Sequence, residues 1–185
     1  MITAKDFLDK WKKETYGLVS FDEKIIELFS LSRETKDFLS KAGLPDSSPP
    51  FLTFESSANG GGVRLTEKYE NAEEEYSKFI YVGFTGNGDP ICIDEENDEV
   101  LYFDNENDNE EIFINSSISQ LAESMIAYVD FIEKIKDVNG KKAFLERNAT
   151  QDLLAWIANR LEKIDSDSLI QGSFWEEELS NYNKL

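Results

Sequence analysis

The 185-residue chain contains no histidine and only one cysteine. Without histidine, a Ser-His-Asp triad, a Cys-His dyad and a histidine-ligated metal are all excluded. The single thiol, Cys92, makes neither an internal disulfide nor a CxxC pair. Long apolar runs are also missing. The longest, residues 79–84 and 125–129, fall far short of the roughly 20 residues of a membrane span. The opening Met-Ile-Thr-Ala-Lys-Asp-Phe has no apolar stretch of the signal-peptide kind, so a reducing cytoplasm is the expected location. Positive charge is scarce: 19 Lys and Arg stand against 38 Asp and Glu, a net charge of −19. That sign is wrong for holding phosphate backbones and is repelled by anionic membranes. Nucleic acid and membrane are therefore disfavoured as partners, and a basic protein is favoured.

What is present is enough for a core. The chain is 40% apolar with 23 aromatics, and its length suits one domain. The acids are unevenly placed. Residues 79–133 hold fourteen acids and no Lys or Arg, and eleven of those acids lie between Asp89 and Glu111. The plain reading is a solubilising surface. The sharper reading is a negative patch that steers a basic partner.

The pattern of apolar residues sets the elements. Thr3 with Asp6 marks a helix start, followed by a stripe of Phe7, Leu8, Trp11 and Tyr16 and a stop at Gly17. Ile25, Ile26, Leu28 and Phe29 form a short apolar cluster. Ser32 caps a helix that carries Phe38 and Leu39 and ends at Gly43-Leu44-Pro45. Phe51, Leu52 and Phe54 suggest a short strand, residues 59–62 a flexible glycine loop, and residues 63–69 another strand. Residues 79–84 are strongly β-prone, and Gly86-Asn87-Gly88-Asp89 supplies a hairpin turn to Ile91-Cys92-Ile93-Asp94. A turn at 95–98, a strand at 100–103, a polar connection at 104–111 and a strand at 112–114 complete a four-stranded meander. Ser117 with Gln120 then opens a long helix to about Val138. Leu153, Ile157, Leu161 and Ile164 define a further helix, and Ser173 with Glu176 caps a last one carrying Trp175, Leu179 and Tyr182. The expected fold is α+β: an antiparallel meander of about four to six strands flanked by helices in one domain over 1–185. Its ends are an N-terminal helical segment at 1–30 and a C-terminal helical extension at 139–185.

No motif specifies catalysis. Asp104-x-Glu106-x-Asp108 resembles the start of a calcium loop, but Asn109 and Asn115 stand where an EF-hand needs Gly and Glu. Gly83, Gly86 and Gly88 fit neither a dinucleotide fingerprint nor a P-loop. Paired carboxylates are numerous, so spacing alone selects none for hydrolysis. Cys92 reads as a small buried hydrophobe. Phe79, Phe84, Phe103 and Phe113 read as core, with Tyr81 and Tyr102 as partner-facing. No catalytic residue, cofactor site or metal site is assigned.

Several segments together resemble the SUKH superfamily, which joins yeast cell-wall-synthesis regulators with bacterial immunity proteins. They are the helix ending at Gly43-Leu44-Pro45, Phe51-Leu-Thr-Phe54, Tyr81-Val-Gly83, Gly88-Asp-Pro-Ile-Cys-Ile-Asp94 and Val100-Leu-Tyr-Phe103. Asn115-Ser-Ser117 opening a long helix, and Ile164-Asp165 followed by Phe174-Trp175-Glu176, are similar to the immunity branch with a C-terminal helical extension. The resemblance implies a non-enzymatic binding domain that neutralises a toxin domain, often a nuclease or deaminase. Nucleases that grip phosphate backbones are commonly basic. The expected binding residues against a basic toxin are thus Asp94, Glu95, Glu96, Asp98, Glu99, Tyr102, Asp104, Glu106, Asp108, Glu110 and Glu111. The alternatives are a cytosolic adaptor of the same superfamily without a toxin partner and, in another class, a carboxylate-dependent hydrolase. The oligomeric state is left open.

Overall fold

The computed structural model describes residues 1–182, so residues 183–185 of the expected C-terminal extension lie outside the described residues. The Thr3 hydroxyl accepts from the Asp6 amide at 3.1 Å and opens α1 (Ala4–Lys10). A break at Trp11 separates it from α2 (Lys13–Tyr16), which stops at Gly17. The break divides the expected stripe: Phe7 and Trp11 are buried, whereas Leu8 stays exposed. Asp22 caps α3 (Glu23–Ile26), which buries Ile26 and leaves the nearby Leu28 in solvent. Ser32 caps α4 (Arg33–Lys41) by accepting from the Thr35 amide, and Phe38 and Leu39 fill the core.

The sheet follows. Its strands are β1 (Ser47–Ser48), β2 (Leu52–Phe54), β3 (Val63–Arg64) and, after the short helix α5 (Leu65–Lys68), β4 (Phe79–Thr85), β5 (Pro90–Asp94), β6 (Val100–Asp104) and β7 (Glu110–Asn115). The order is β1-β2-β4-β5-β6-β7, with β3 also on β4, and every pairing is antiparallel. The meander read from the sequence is β4 to β7. Three short strands extend it to seven.

Local departures have physical causes. Residues 63–69 are not one strand. Only Val63–Arg64 pairs with β4, and the helix-forming Leu-Thr-Glu-Lys that follows turns to bury Leu65 against the sheet. The glycine loop is packed instead of flexible: Ser57–Asn59 makes a turn of 3₁₀ helix, and the Gly62 amide donates to the Tyr81 carbonyl at 2.8 Å. A Cβ at Gly61 would stand 1.8 Å from the Glu55 carbonyl, so only glycine fits. Phe51 lies outside β2, in the turn that precedes it. Phe84 and Phe113 are half-buried, unlike Phe79 and Phe103, because the sheet's ends and second face are incompletely covered. Glu110 and Glu111 already pair with Asp104 and Phe103, which shortens the polar connection to residues 105–109.

Ser117 and Gln120 form the expected capping box of α6 (Ile118–Asn139). α7 (Gln151–Ile164) and α8 (Phe174–Ser180) follow. Ser173 does not cap α8 with its side chain; its hydroxyl instead donates to the Ser168 carbonyl at 2.7 Å. α6 is apolar on several sides because it lies in the middle, against β7, α1, α4 and α7. Leu121, Met125, Ile132 and Ile135 are fully or almost fully buried, each contributing roughly 1.5–3 kcal/mol of burial. Alternation along the strands sends Ile80, Val82, Ile91, Ile93 and Ile114 into this helical core. Phe79, Tyr81, Cys92, Leu101 and Phe103 point to the second face, where α5 and Tyr76 cover only part of the sheet.

Candidate partner-binding site

In an antiparallel meander, successive turns fall at opposite ends of the sheet. The two acidic tracts therefore do not form one patch. Asp94, Glu95, Glu96, Asp98 and Glu99 occupy the β5–β6 turn. Glu106 and Asp108, with Asp104, Glu110 and Glu111 at the strand ends, occupy the β6–β7 turn. The length of β6, roughly 16 Å at about 3.3 Å per residue, separates them.

The β5–β6 turn is largely consumed inside the fold. Asp94 is buried, pairs with Lys78 at 2.9 Å and accepts from the Glu96 amide. Glu95 forms an ion pair with Arg64 and accepts from the Ser30 amide at 2.6 Å. Asp98 accepts from the Ser32 amide at 3.1 Å and the Thr35 hydroxyl at 2.8 Å. This turn is a strut that holds α4 and the segment before it against the sheet. Of its acids, Glu96 is the open one, at 70% side-chain exposure, and it too reaches Lys78.

The β6–β7 turn is different. Asp104 accepts from the Glu106 amide at 2.9 Å and the Asn107 side chain at 2.6 Å, which shapes the loop. Asp108 and Asn109 take left-handed conformations, which Asp and Asn tolerate better than most residues. Glu106, Asp108, Glu110 and Glu111 are exposed. Among the described residues none of these four, nor Asp104, forms an ion pair. Two acids outside the predicted set join them. Asp89, 3% exposed, accepts from the Thr85 hydroxyl at 2.8 Å and the Asn105 amide at 3.2 Å, so it ties the β4–β5 turn to this one. Glu177 of α8 comes from far along the chain. Burial, and then the charges of Glu177, Asp104, Asp89 and Glu110, push the Tyr102 hydroxyl well above its ordinary pKa. Asp89 and Glu177 line one groove with Tyr102. A surface of this kind concentrates negative potential for lysine and arginine.

Both tyrosines expected to face a partner are buried. Tyr102 is 9% exposed, turned into the helical core with its ring edge-on to Phe174. Tyr81 is 2% exposed, and its hydroxyl donates to Glu55 at 2.8 Å. Both belong to the interior because β4 and β6 are central strands with covered positions. Cys92 is fully buried, and burial pushes its thiol well above the ordinary value, away from nucleophilic chemistry. Among the described residues no three His, Cys, Asp or Glu side chains are placed to hold a metal ion. No helix among them is long and apolar enough to cross a membrane. On the second face, a groove of about 570 Å³ lies between α5 and the sheet, lined by Leu65, Tyr69, Tyr76, Pro90 and Phe103 with Glu73 at its edge.

Sequence reasoning missed Asp89 and Glu177 as members of this end of the sheet. Asp89 sits in the counted acidic span, so charge density pointed near it. No local signal connects Glu177 to residue 104. Compared with known families, residues 4–181 match the family described as SUKH-4 immunity protein. No curated protein and no solved structure matches the chain.

Proposed function

The chain belongs to the SUKH-4 immunity protein family, which carries a toxin-immunity role with a protein toxin as partner, and on that premise we propose that it neutralises a basic nuclease or deaminase domain in the cytoplasm. The contact surface is the β6–β7 end of the sheet, with Asp104, Glu106, Asp108, Glu110 and Glu111 as the reading's binding residues. The observation that carries this is the contrast between the two turns: one spends Asp94, Glu95 and Asp98 on Lys78, Arg64, Ser32 and Thr35, and the other keeps Glu106, Asp108, Glu110 and Glu111 exposed. Charge complementarity speeds association and selects partners, and mutating rim charges changes the on-rate and its salt dependence.

The test screens purified basic nuclease and deaminase toxin domains from the source organism for one that binds this chain. Titration at graded salt should give tight binding that weakens as salt rises. The triple variant Glu106→Lys, Asp108→Lys, Glu110→Lys should lower affinity at least 100-fold and flatten the salt dependence. Glu96→Lys, at the other end, should change affinity less than 3-fold. Unchanged affinity and salt slope in the triple variant would overturn the acidic-surface reading. Recovery of several unrelated endogenous proteins, with no toxin bound, would replace it with an adaptor role.

A further inference from the structure

Phe51 ends the three-residue turn that joins β1 to β2, Pro49-Pro50-Phe51. Three-residue hairpin loops favour glycine at the position that needs a positive φ. Here that position, φ 71°, holds phenylalanine. A bulky side chain is unfavourable in this conformation, and strain of this kind clusters at binding and catalytic sites. The ring gains little burial in return, for Phe51 is 60% exposed. Its stem is propped from below: a Cβ at Gly86 would meet the Phe51 Cβ at 2.9 Å, so the β4–β5 turn approaches it only because residue 86 is glycine.

The surroundings indicate what the ring meets. On one flank, a depression of about 450 Å³ is lined by Tyr16, Leu52, Phe84 and Phe144. On the other, a groove of about 160 Å³ runs from Phe51 past Asp89, Tyr102 and Glu177. The exposed aromatic therefore shares a groove with Asp89, whose carboxylate accepts from the Asn105 amide of the β6–β7 turn, and with Glu177. Interfaces take most of their affinity from a few aromatic or arginine anchors, with charged rims adding steering and selectivity. A second copy of this chain is a poor occupant, because its own acidic end would meet an identical one in a protein of net charge −19.

We infer that Phe51 is the apolar anchor of the toxin interface, entering a pocket on the toxin domain rimmed by lysine and arginine. This rests on the immunity reading above and names the contact that supplies its affinity. The test compares wild type with Phe51→Gly, Phe51→Ala and Phe51→Trp, using the same purified toxin domain and the melting temperature of each free variant. Phe51→Gly relieves the backbone strain, so its melting temperature should stay within about 2 °C of wild type or rise, while affinity falls about 100-fold. Phe51→Ala should lose affinity similarly, and Phe51→Trp should keep it within about 5-fold. The slope of affinity against salt should be unchanged in all three, unlike that of the triple lysine variant. If the toxin domain binds wild type and Phe51→Gly equally, the anchor is overturned and the immunity reading stands. If Phe51→Gly melts far below wild type, the residue is structural and the anchor is overturned. If no screened toxin domain binds wild type, the immunity reading and the anchor fall together.

Discussion

Burial opposes ionisation of Glu55, but a hydrogen bond from Lys68 at 2.7 Å and one from Tyr81 at 2.8 Å outweigh it and hold the carboxyl below its ordinary value of 4.5. The unfolded chain binds the proton more readily, so stability rises with pH through this range. The contribution of Glu55 is complete above about pH 4.5 and is lost as pH falls below it. Glu55→Gln should therefore lower stability at pH 7 more than at pH 3, and denaturant midpoints across that range would check it. A constant difference between variant and wild type would show that the charge of Glu55 is immaterial. Other single residues do comparable work away from solvent. Asp165 accepts from Asn115, the Ser116 amide and the Ser116 hydroxyl, at 2.9, 2.7 and 2.9 Å, and Trp175 donates to Asn115 at 2.9 Å. Glu178 accepts from Tyr128 and pairs with Arg147, so this buried acid has partners that offset its desolvation.

Helix α4 depends on a turn more than 60 residues away in sequence. Its cap, Ser32, uses its hydroxyl for the Thr35 amide, and Asp98 receives both the Ser32 amide and the Thr35 hydroxyl. A hydrogen bond to a charged group contributes roughly 1.5–3 kcal/mol. Asp98→Asn preserves the left-handed backbone and one acceptor oxygen but removes the charge. It should cost about 1 kcal/mol and accelerate hydrogen exchange in α4 while leaving β4 to β7 protected. Equal acceleration throughout the sheet would instead mean that α4 and the meander open as one unit.

The whole molecule carries a net charge of −19, and its longest base-free stretch spans the meander and much of α6. Self-repulsion of this size destabilises the compact state. Raising salt from about 10 mM to about 300 mM shortens the screening length from roughly 30 Å to under 10 Å. The melting temperature should rise by several degrees over that range. Ion pairs such as Arg64–Glu95 and Lys68–Glu55 act in the opposite sense, so a falling melting temperature would mean that they outweigh the repulsion.

The sequence by itself determined much of the local structure. Spacing and capping chemistry placed α4, α6 and α7, and Gly86-Asn87-Gly88-Asp89 placed the central hairpin, because these signals act within a few residues. Composition likewise located the acid-rich span. The family resemblance rested on short segments, and the match over residues 4–181 now carries it. The site was legible only in part. The two acidic tracts read alike as sequence, yet alternate turns of a meander point to opposite ends, and one of them met Arg64, Lys78 and α4 there. Tyr102 looked like a surface tyrosine until Phe174, over 70 positions later, covered it. Phe51 looked like the start of a strand, whereas the turn before β2 holds it out in solvent. Tertiary structure decided these points for one reason: whether a charge is paired or a ring is covered depends on neighbours that the chain brings together only when it folds.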